Sequence, residues 1–285
     1  MVAVRIAIAL CLIATLGLAL DVYDTSRPYQ WVDSGNGVDF YFEYVADAPI
    51  TNWYDYIPYY TNTVLVARFN SSTPLTNEAE SVTGGIINPG GGAAPALTND
   101  FATFGGNDYL DCGDSWTNYG CGTAQNYAVS FWVSTFADVA NAAVYSCVED
   151  NDRPGGEIQF GDIDSLGYDM CFFPHRNEST CGMTNIATKV WYHAAVTYDR
   201  QSDIITWYSN GVPTVTRTIT GGPLAYQIGK AGTAQWIGGR ARAGGQSYLN
   251  GAVDDLIQWV FPVSSTQIID AAQMQSLYNA GRSSD

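Results

Sequence analysis

Between residues 101 and 260, apolar and polar positions alternate in short runs that turn residues interrupt at fairly regular spacing. Successive side chains on a strand point to opposite faces, so this pattern predicts antiparallel strands with one face buried. The clearest run is Trp191-Tyr192-His193-Ala194-Ala195-Val196-Thr197-Tyr198-Asp199. A polar turn follows at 200–203, then a second run from Ile204 to Ser209, then the pair Asn210-Gly211. Asn and Gly tolerate the positive φ that both central residues of a two-residue hairpin need, so the spacing predicts a three-stranded meander here. Gly155-Gly156, Gly221-Gly222 and Gly244-Gly245 mark further turns, and residues 74–97 read as a long connection rich in Gly, Asn and Pro. A single helix is predicted over 266–279, with Ser264 or Ser265 as its cap and Gly281 as its stop. Together these elements predict an all-β antiparallel sandwich with a short C-terminal helix.

Two N-terminal stretches depart from this pattern. Residues 1–20 combine Arg5, an apolar run from Ile6 to Leu16, and small residues at Gly17 and Ala19, the arrangement of a secretory signal peptide. The run is short for a membrane span and no basic stop-transfer segment follows, so a cleaved, secreted, extracellular chain without membrane insertion is expected. Residues 21–60 are crowded with aromatics from Tyr23 to Tyr60 and punctuated by Pro28, Pro49 and Pro58. Val38–Tyr44 alternates as a strand does. This extension is expected to pack on the sandwich as an extra strand and covering loop, or to present an aromatic interaction segment; a disordered propeptide is the third reading, against which the aromatic content argues. The reading therefore divides the chain into a signal peptide (1–20), an aromatic-rich extension (21–60) and a β-sandwich domain (61–282).

Charge narrows the partners. Twelve Lys and Arg face 28 Asp and Glu, for a net charge of −16. Nucleic acid and anionic membrane surfaces both require basic patches, so both are excluded as partners. In an oxidising compartment cysteines that lie close in sequence pair, which predicts Cys112–Cys121 and Cys171–Cys181 and leaves Cys147 as a buried thiol on a strand. The rival pairing joins Cys147 to Cys171 and frees Cys181. Asn70-Ser71-Ser72 and Asn177-Glu178-Ser179 are glycosylation sequons, which makes Asn70 and Asn177 candidate acceptors on a secretory route.

The meander also carries a family resemblance. W-x-H-x-A-x-T-Y-D followed by Y-x-N-G resembles the core signature of laminin-G-like domains in the concanavalin A-like lectin/glucanase superfamily. Val64–Phe69 resembles the opening strand of that family, and Phe101–Leu110 its A-x-F-x-G-x-D-Y segment. Tyr127–Val133 is similar to its S-x-S-x-W strand, although Phe131 departs from the usual order. Leu249–Leu256 resembles its F-x-G-x-hydrophobic-D-D strand, and 264–281 its closing helix. The resemblance spans roughly residues 61–281. It implies a jelly-roll sandwich of two antiparallel sheets, and it implies little about function, because one fold hosts many sites.

The resemblance further implies a Ca²⁺ near the sandwich rim, with Asp108 and Asp254 as leading ligands and Asp111 and Asp114 behind them. Hard oxygen donors of this kind suit calcium. For a sugar, an aromatic face with polar groups beside it is needed, and Trp116, Tyr119, Arg240, Arg242 and Tyr248 are the loop residues of that type. Trp132, Trp191, Trp207 and Trp259 lie in strands and are expected in the core. The Glu-x-Asp-x-Glu strand of the glucanase branch is not matched: Glu157-Ile158-Gln159-Phe160-Gly161-Asp162 has the wrong spacing and lacks the second Glu. His193 is expected to pack and hydrogen-bond within the sheet, and His175 to be solvated. The function expected is non-catalytic binding of a glycan or an extracellular protein, as a lectin-like or adhesive module. A structural surface or matrix protein assembling through the aromatic extension is the alternative, and a divergent glycan-cleaving enzyme the third.

Overall fold

A computed structural model of the chain describes residues 29–33, 40–44, 56–69, 78–79, 87–91, 94–97, 101–113, 126–137, 142–149, 153–161, 169–175, 178–219, 235–240, 247–261 and 265–281. For 29–33, 40–44, 147–149, 153–156, 161, 173–175, 178 and 247 only the backbone is described. The chain divides into two units, Met1–Thr51 and Asn52–Asp285. In the first, β1 (Tyr29–Asp33) and β2 (Phe40–Tyr44) pair antiparallel, with Trp31 opposite Phe42. The strand expected at Val38–Tyr44 is thus β2. The second unit opens earlier than residue 61: Ile57, which the sequence placed in the extension, is buried in it.

The second unit is a sandwich of two sheets. Its strands are β3 (Thr63–Ala67), β4 (Asn88–Gly91), β5 (Ala96–Leu97), β6 (Ala102–Gly105), β7 (Asp108–Asp111), β8 (Tyr127–Thr135), β9 (Ala143–Glu149), β10 (Arg153–Gly161) and β11 (Asp169–His175). They continue with β12 (Glu178–Met183), β13 (Tyr192–Asp199), β14 (Ile204–Ser209), β15 (Val212–Thr218), β16 (Gln235–Ile237), β17 (Gly239–Arg240), β18 (Ser247–Tyr248) and β19 (Asn250–Val260). One sheet runs β12-β11-β10-β9-β16-β7-β4, with β17 and β18 beside β9. The other runs β15-β14-β13-β8-β19-β6-β5, with β3 paired to β19. The meander forms as its sequence predicts: β13, β14 and β15 pair in order, and Asn210 (φ 49°) and Gly211 (φ 76°) make the turn.

Inward positions of both sheets interdigitate. Val129, Phe131, Val133, Val196, Tyr198 and Val253 from one sheet meet Leu110, Ile158, Phe160, Met170, Phe172 and Ile237 from the other. Trp207 of β14 is fully buried, and its Nε1–H donates to the Thr180 carbonyl of β12 over 2.6 Å, tying the two sheets together at one edge. A Cβ at Gly182 would lie 2.1 Å from the Trp207 side chain, so only glycine lets β12 close over this indole. Cys171 and Cys181 stand directly opposite each other on β11 and β12 and are joined by a disulfide, which removes the rival Cys147–Cys171 pairing. The predicted Cys112–Cys121 bond is not formed. Cys112 follows β7 with its thiol turned into the core and free, and burial pushes that thiol's pKa up. Cys121, the side chain of Cys147, and both sequon asparagines lie outside the described residues.

The C-terminal helix α1 (Ala271–Asn279) is shorter than predicted, and its cap is Asp270 rather than Ser264 or Ser265. Asp270 accepts from the Gln273 N–H while the Gln273 side chain accepts from the Asp270 N–H, a capping box that satisfies two end donors at once. Ser265 instead closes a local turn, its Oγ accepting from the Gln267 N–H. Ile269, Met274 and Leu277 of this segment pack on Val66, Ala128, Ala195, Tyr208, Ile257 and Trp259, the outward face of the eight-stranded sheet. Beneath the helix, Ser130 and His193 Nε2 share a 2.8 Å hydrogen bond, and the imidazole packs against Trp132 and Tyr278. The expected packing role of His193 is what this geometry provides.

Burial lowers the His193 pKa to about 3. The unfolded ring titrates near 6.5, so its contribution to stability is intact above that pH and is lost as pH falls toward 3. Stability should therefore drop by up to about 1.4 kcal/mol per pH unit from this one group. Urea titrations of wild type and His193→Gln between pH 6 and 4.5 should converge by about 2 kcal/mol. Parallel pH profiles would show that His193 is not the responsible group.

Candidate functional site

Because α1 and its flanking segment cover the outward face of the eight-stranded sheet, the nine-stranded sheet supplies the other outward face. Alternation decides what stands there. On β10, Ile158 and Phe160 enter the core, so Glu157 and Gln159 face outward. On β16, Trp236 sits between inward Gln235 and Ile237, and on β7, Tyr109 and Asp111 flank inward Leu110. Strand register aligns Asp111, Trp236, Ser146 and Glu157 in one row across β7, β16, β9 and β10. A second row carries Tyr248, Ala143, Gln159, Cys171 and Cys181.

Three rings on this face lie nearly parallel. Tyr109 stacks on Trp236 with centroids 3.6 Å apart and planes inclined by 14°, and Tyr248 lies 6.2 Å from Tyr109 at 11°. Tyr109 can lie this low because its partner on β4 is Gly90, where a Cβ would stand 2.4 Å from Tyr109 Cζ. Burial raises the pKa of Tyr109, with Asp111 and then Tyr248 adding to the effect, and burial raises that of Tyr248. Both phenols therefore remain protonated at neutral pH and keep an O–H to donate.

Polar groups stand beside the rings. Arg240 Nη1 lies 3.2 Å from Glu157 Oε1 and donates to Gln159 Oε1 over 3.3 Å. The Glu157 side chain is 2% exposed and that of Arg240 13%, so this ion pair is withdrawn from water although it sits on an outward face. Ser146 Oγ donates to the Gly239 carbonyl and anchors the short strand that carries Arg240. Trp236 Nε1 and Arg240 Nε are buried N–H donors without a partner among the described residues. Buried donors are nearly always satisfied, and a ligand oxygen is one way to satisfy these two.

The structure thus brings together two of the five sugar-binding residues expected from sequence, Arg240 and Tyr248. Trp116, Tyr119 and Arg242 lie outside the described residues. Tyr109, Trp236, Glu157 and Gln159 were missed. Their signal was the alternation itself, polar or amphipathic residues between inward apolar ones, but it does not reveal which outward sheet face α1 covers. Among the tryptophans expected in the core, Trp207 and Trp259 are fully buried, Trp132 packs half-buried against Tyr278, and Trp191 lies half-buried edge-on to Phe101.

The two leading calcium ligands expected, Asp108 and Asp254, are both buried and engaged by backbone, and Asp114 lies outside the described residues. Asp108 Oδ1 accepts from the Gly105 N–H and closes the β6–β7 turn. Asp254, opposite Trp132 on the helix-covered sheet, accepts from the Asp255 N–H at a bulge where Asp255 has φ 44°. No group of three or more His, Cys, Asp or Glu is placed to hold a metal among the described residues. No helix among them is long and apolar enough to cross a membrane.

The model of the concanavalin A-like lectin/glucanases superfamily matches residues 104–269. No curated protein matches the sequence. Among solved structures, domain 4 of AbnA, a GH43 extracellular arabinanase from Geobacillus stearothermophilus in complex with arabinotriose, is 16% identical with a TM-score of 0.55. That likeness covers 76% of this chain and 98% of the arabinanase domain. A botulinum neurotoxin type C that interacts with two ganglioside molecules is 13% identical with a TM-score of 0.54, over 78% of this chain and 51% of the toxin chain. A Trypanosoma rangeli sialidase mutant displaying trans-sialidase activity is 9% identical with a TM-score of 0.57, over 79% of this chain and 33% of its own. At these identities the likeness is one of fold.

Proposed function

Because the chain belongs to the concanavalin A-like lectin/glucanase superfamily, we propose that it is an exported carbohydrate-binding module without catalytic activity, and that its sugar lies on the outward face of the nine-stranded sheet. The observation that carries this reading is the set of three parallel rings, Trp236, Tyr109 and Tyr248, beside a buried Arg240–Glu157 pair with an unpartnered Trp236 N–H. A sugar ring has apolar C–H faces that stack on aromatics and a rim of hydroxyls that need donors and acceptors, and this face offers both. The arabinotriose complex and the ganglioside-binding toxin are sugar-binding examples of the same fold and support the reading. Export follows from the signal-peptide pattern of residues 1–20.

Spacing supports binding without cleavage. Glycosidases place two carboxylates about 5–9.5 Å apart across the scissile bond. Asp111 and Glu157 share this face but stand three strands apart in one row, about 14 Å at roughly 4.8 Å per strand. Glu157 is in addition held by Arg240. A glycan array followed by calorimetric titration of the strongest ligand tests the site. Trp236→Ala and Arg240→Ala should each weaken affinity at least tenfold, about 1.4 kcal/mol. A silent array, or variants that bind like wild type, would place the function elsewhere.

Calcium at Asp108 or Asp254 is proposed only as a structural ion, which hard carboxylate oxygens of this kind would suit. Its test is a thermal melt with and without EDTA. A lowered Tm restored by added Ca²⁺ supports the ion, and superimposable curves remove it.

A further inference from the structure

We infer that the aromatic face of the nine-stranded sheet selects uncharged glycans over glycans bearing carboxylate or sulfate groups; this rests on the reading that the face binds sugar. The charged residues with described side chains on it are Glu157, Asp111, Asp169 and Arg240. The Arg240 guanidinium, which would ordinarily capture an anionic sugar, is already committed to Glu157 Oε1 at 3.2 Å and to Gln159. Asp111 lies in register with Trp236 and close enough to Tyr109 to raise its pKa; its Oδ1 accepts from the Gly113 N–H and no cation pairs with it among the described residues, so it places negative charge at the edge of the ring platform. An acidic sugar on the platform meets that charge and the field of a chain with net charge −16.

A neutral sugar meets no such opposition and matches the hydrogen-bonding groups better. A hydroxyl both accepts and donates, whereas a carboxylate only accepts. The face presents buried donors at Trp236 Nε1 and Arg240 Nε and acceptors at Glu157, Gln159 and Asp111. Hydroxyls can engage both sets, while a carboxylate set against the acceptors leaves like charges or unpaired groups in a site shielded from water.

The test pairs arabinotriose and other neutral oligosaccharides with their uronate-, sialyl- or sulfate-bearing counterparts, titrated calorimetrically against the full chain at low and high salt. Neutral ligands should bind at least tenfold more tightly at low salt. Their affinity should hardly change with ionic strength, while that of the acidic ligands rises as repulsion is screened. In Asp111→Asn the ratio of acidic to neutral affinity should increase. Equal or tighter binding of the acidic ligands would overturn the selectivity and leave the sugar-binding reading standing. Binding of neither class to the folded protein would overturn both.

Discussion

Glu157→Ala should cost about 3–5 kcal/mol of stability, because it leaves the Arg240 guanidinium buried without its counter-ion. A buried charge cannot recover its hydration when its partner is deleted, so the loss exceeds what the pair itself contributes. Urea unfolding followed by tryptophan fluorescence measures it as a drop in midpoint at constant m. The double replacement Glu157→Met with Arg240→Met separates the roles of the pair. Both charges then leave together, most of the stability should return, and sugar affinity should still be lost. A double variant that binds like wild type would show that the pair is structural only, and a stable Glu157→Ala single variant would show that Arg240 finds water or another partner.

Trp207→Ala should be equally costly, about 3–5 kcal/mol, for a different reason. The indole is fully buried where β14 meets β12, and Gly182 packs directly against it, so its removal leaves a cavity between the two sheets. Its removal also strands the Thr180 carbonyl that accepts from Nε1. Trp207→Phe retains most of the volume and should lose only the hydrogen bond and a small cavity, about 1–2 kcal/mol. The same unfolding titration ranks the two variants. An alanine variant no weaker than the phenylalanine one would mean that the sheet edge repacks.

Much of the fold can be read from local pattern. The meander from Tyr192 to Thr218 follows from alternation and from the φ preferences of Asn210 and Gly211, both properties of adjacent residues. The Cys171–Cys181 bond was legible because a hairpin places residues close in sequence opposite each other. Cys112–Cys121 rested on the same argument and failed, because Cys112 follows a strand whose inward neighbours draw its thiol into the core. The helix cap lies at Asp270 rather than Ser264 or Ser265, because Asp270 and Gln273 answer each other's N–H while Ser265 closes a local turn with Gln267.

The sequence by itself determined the strand alternation, the Asn210-Gly211 turn and the net acidity, whereas Gly155-Gly156, expected at a turn, lies within β10. Tertiary structure decided the rest. Tyr109, Glu157, Trp236, Arg240 and Tyr248 come from five strands, β7, β10, β16, β17 and β18, and only the sheet order and register set them in neighbouring rows. Alternation tells each residue that it faces away from the core. It cannot tell that α1 folds over one outward face and covers His193 and Trp132, leaving the other sheet's outward face to carry the rings and the ion pair, because that choice depends on contacts between segments far apart in the chain.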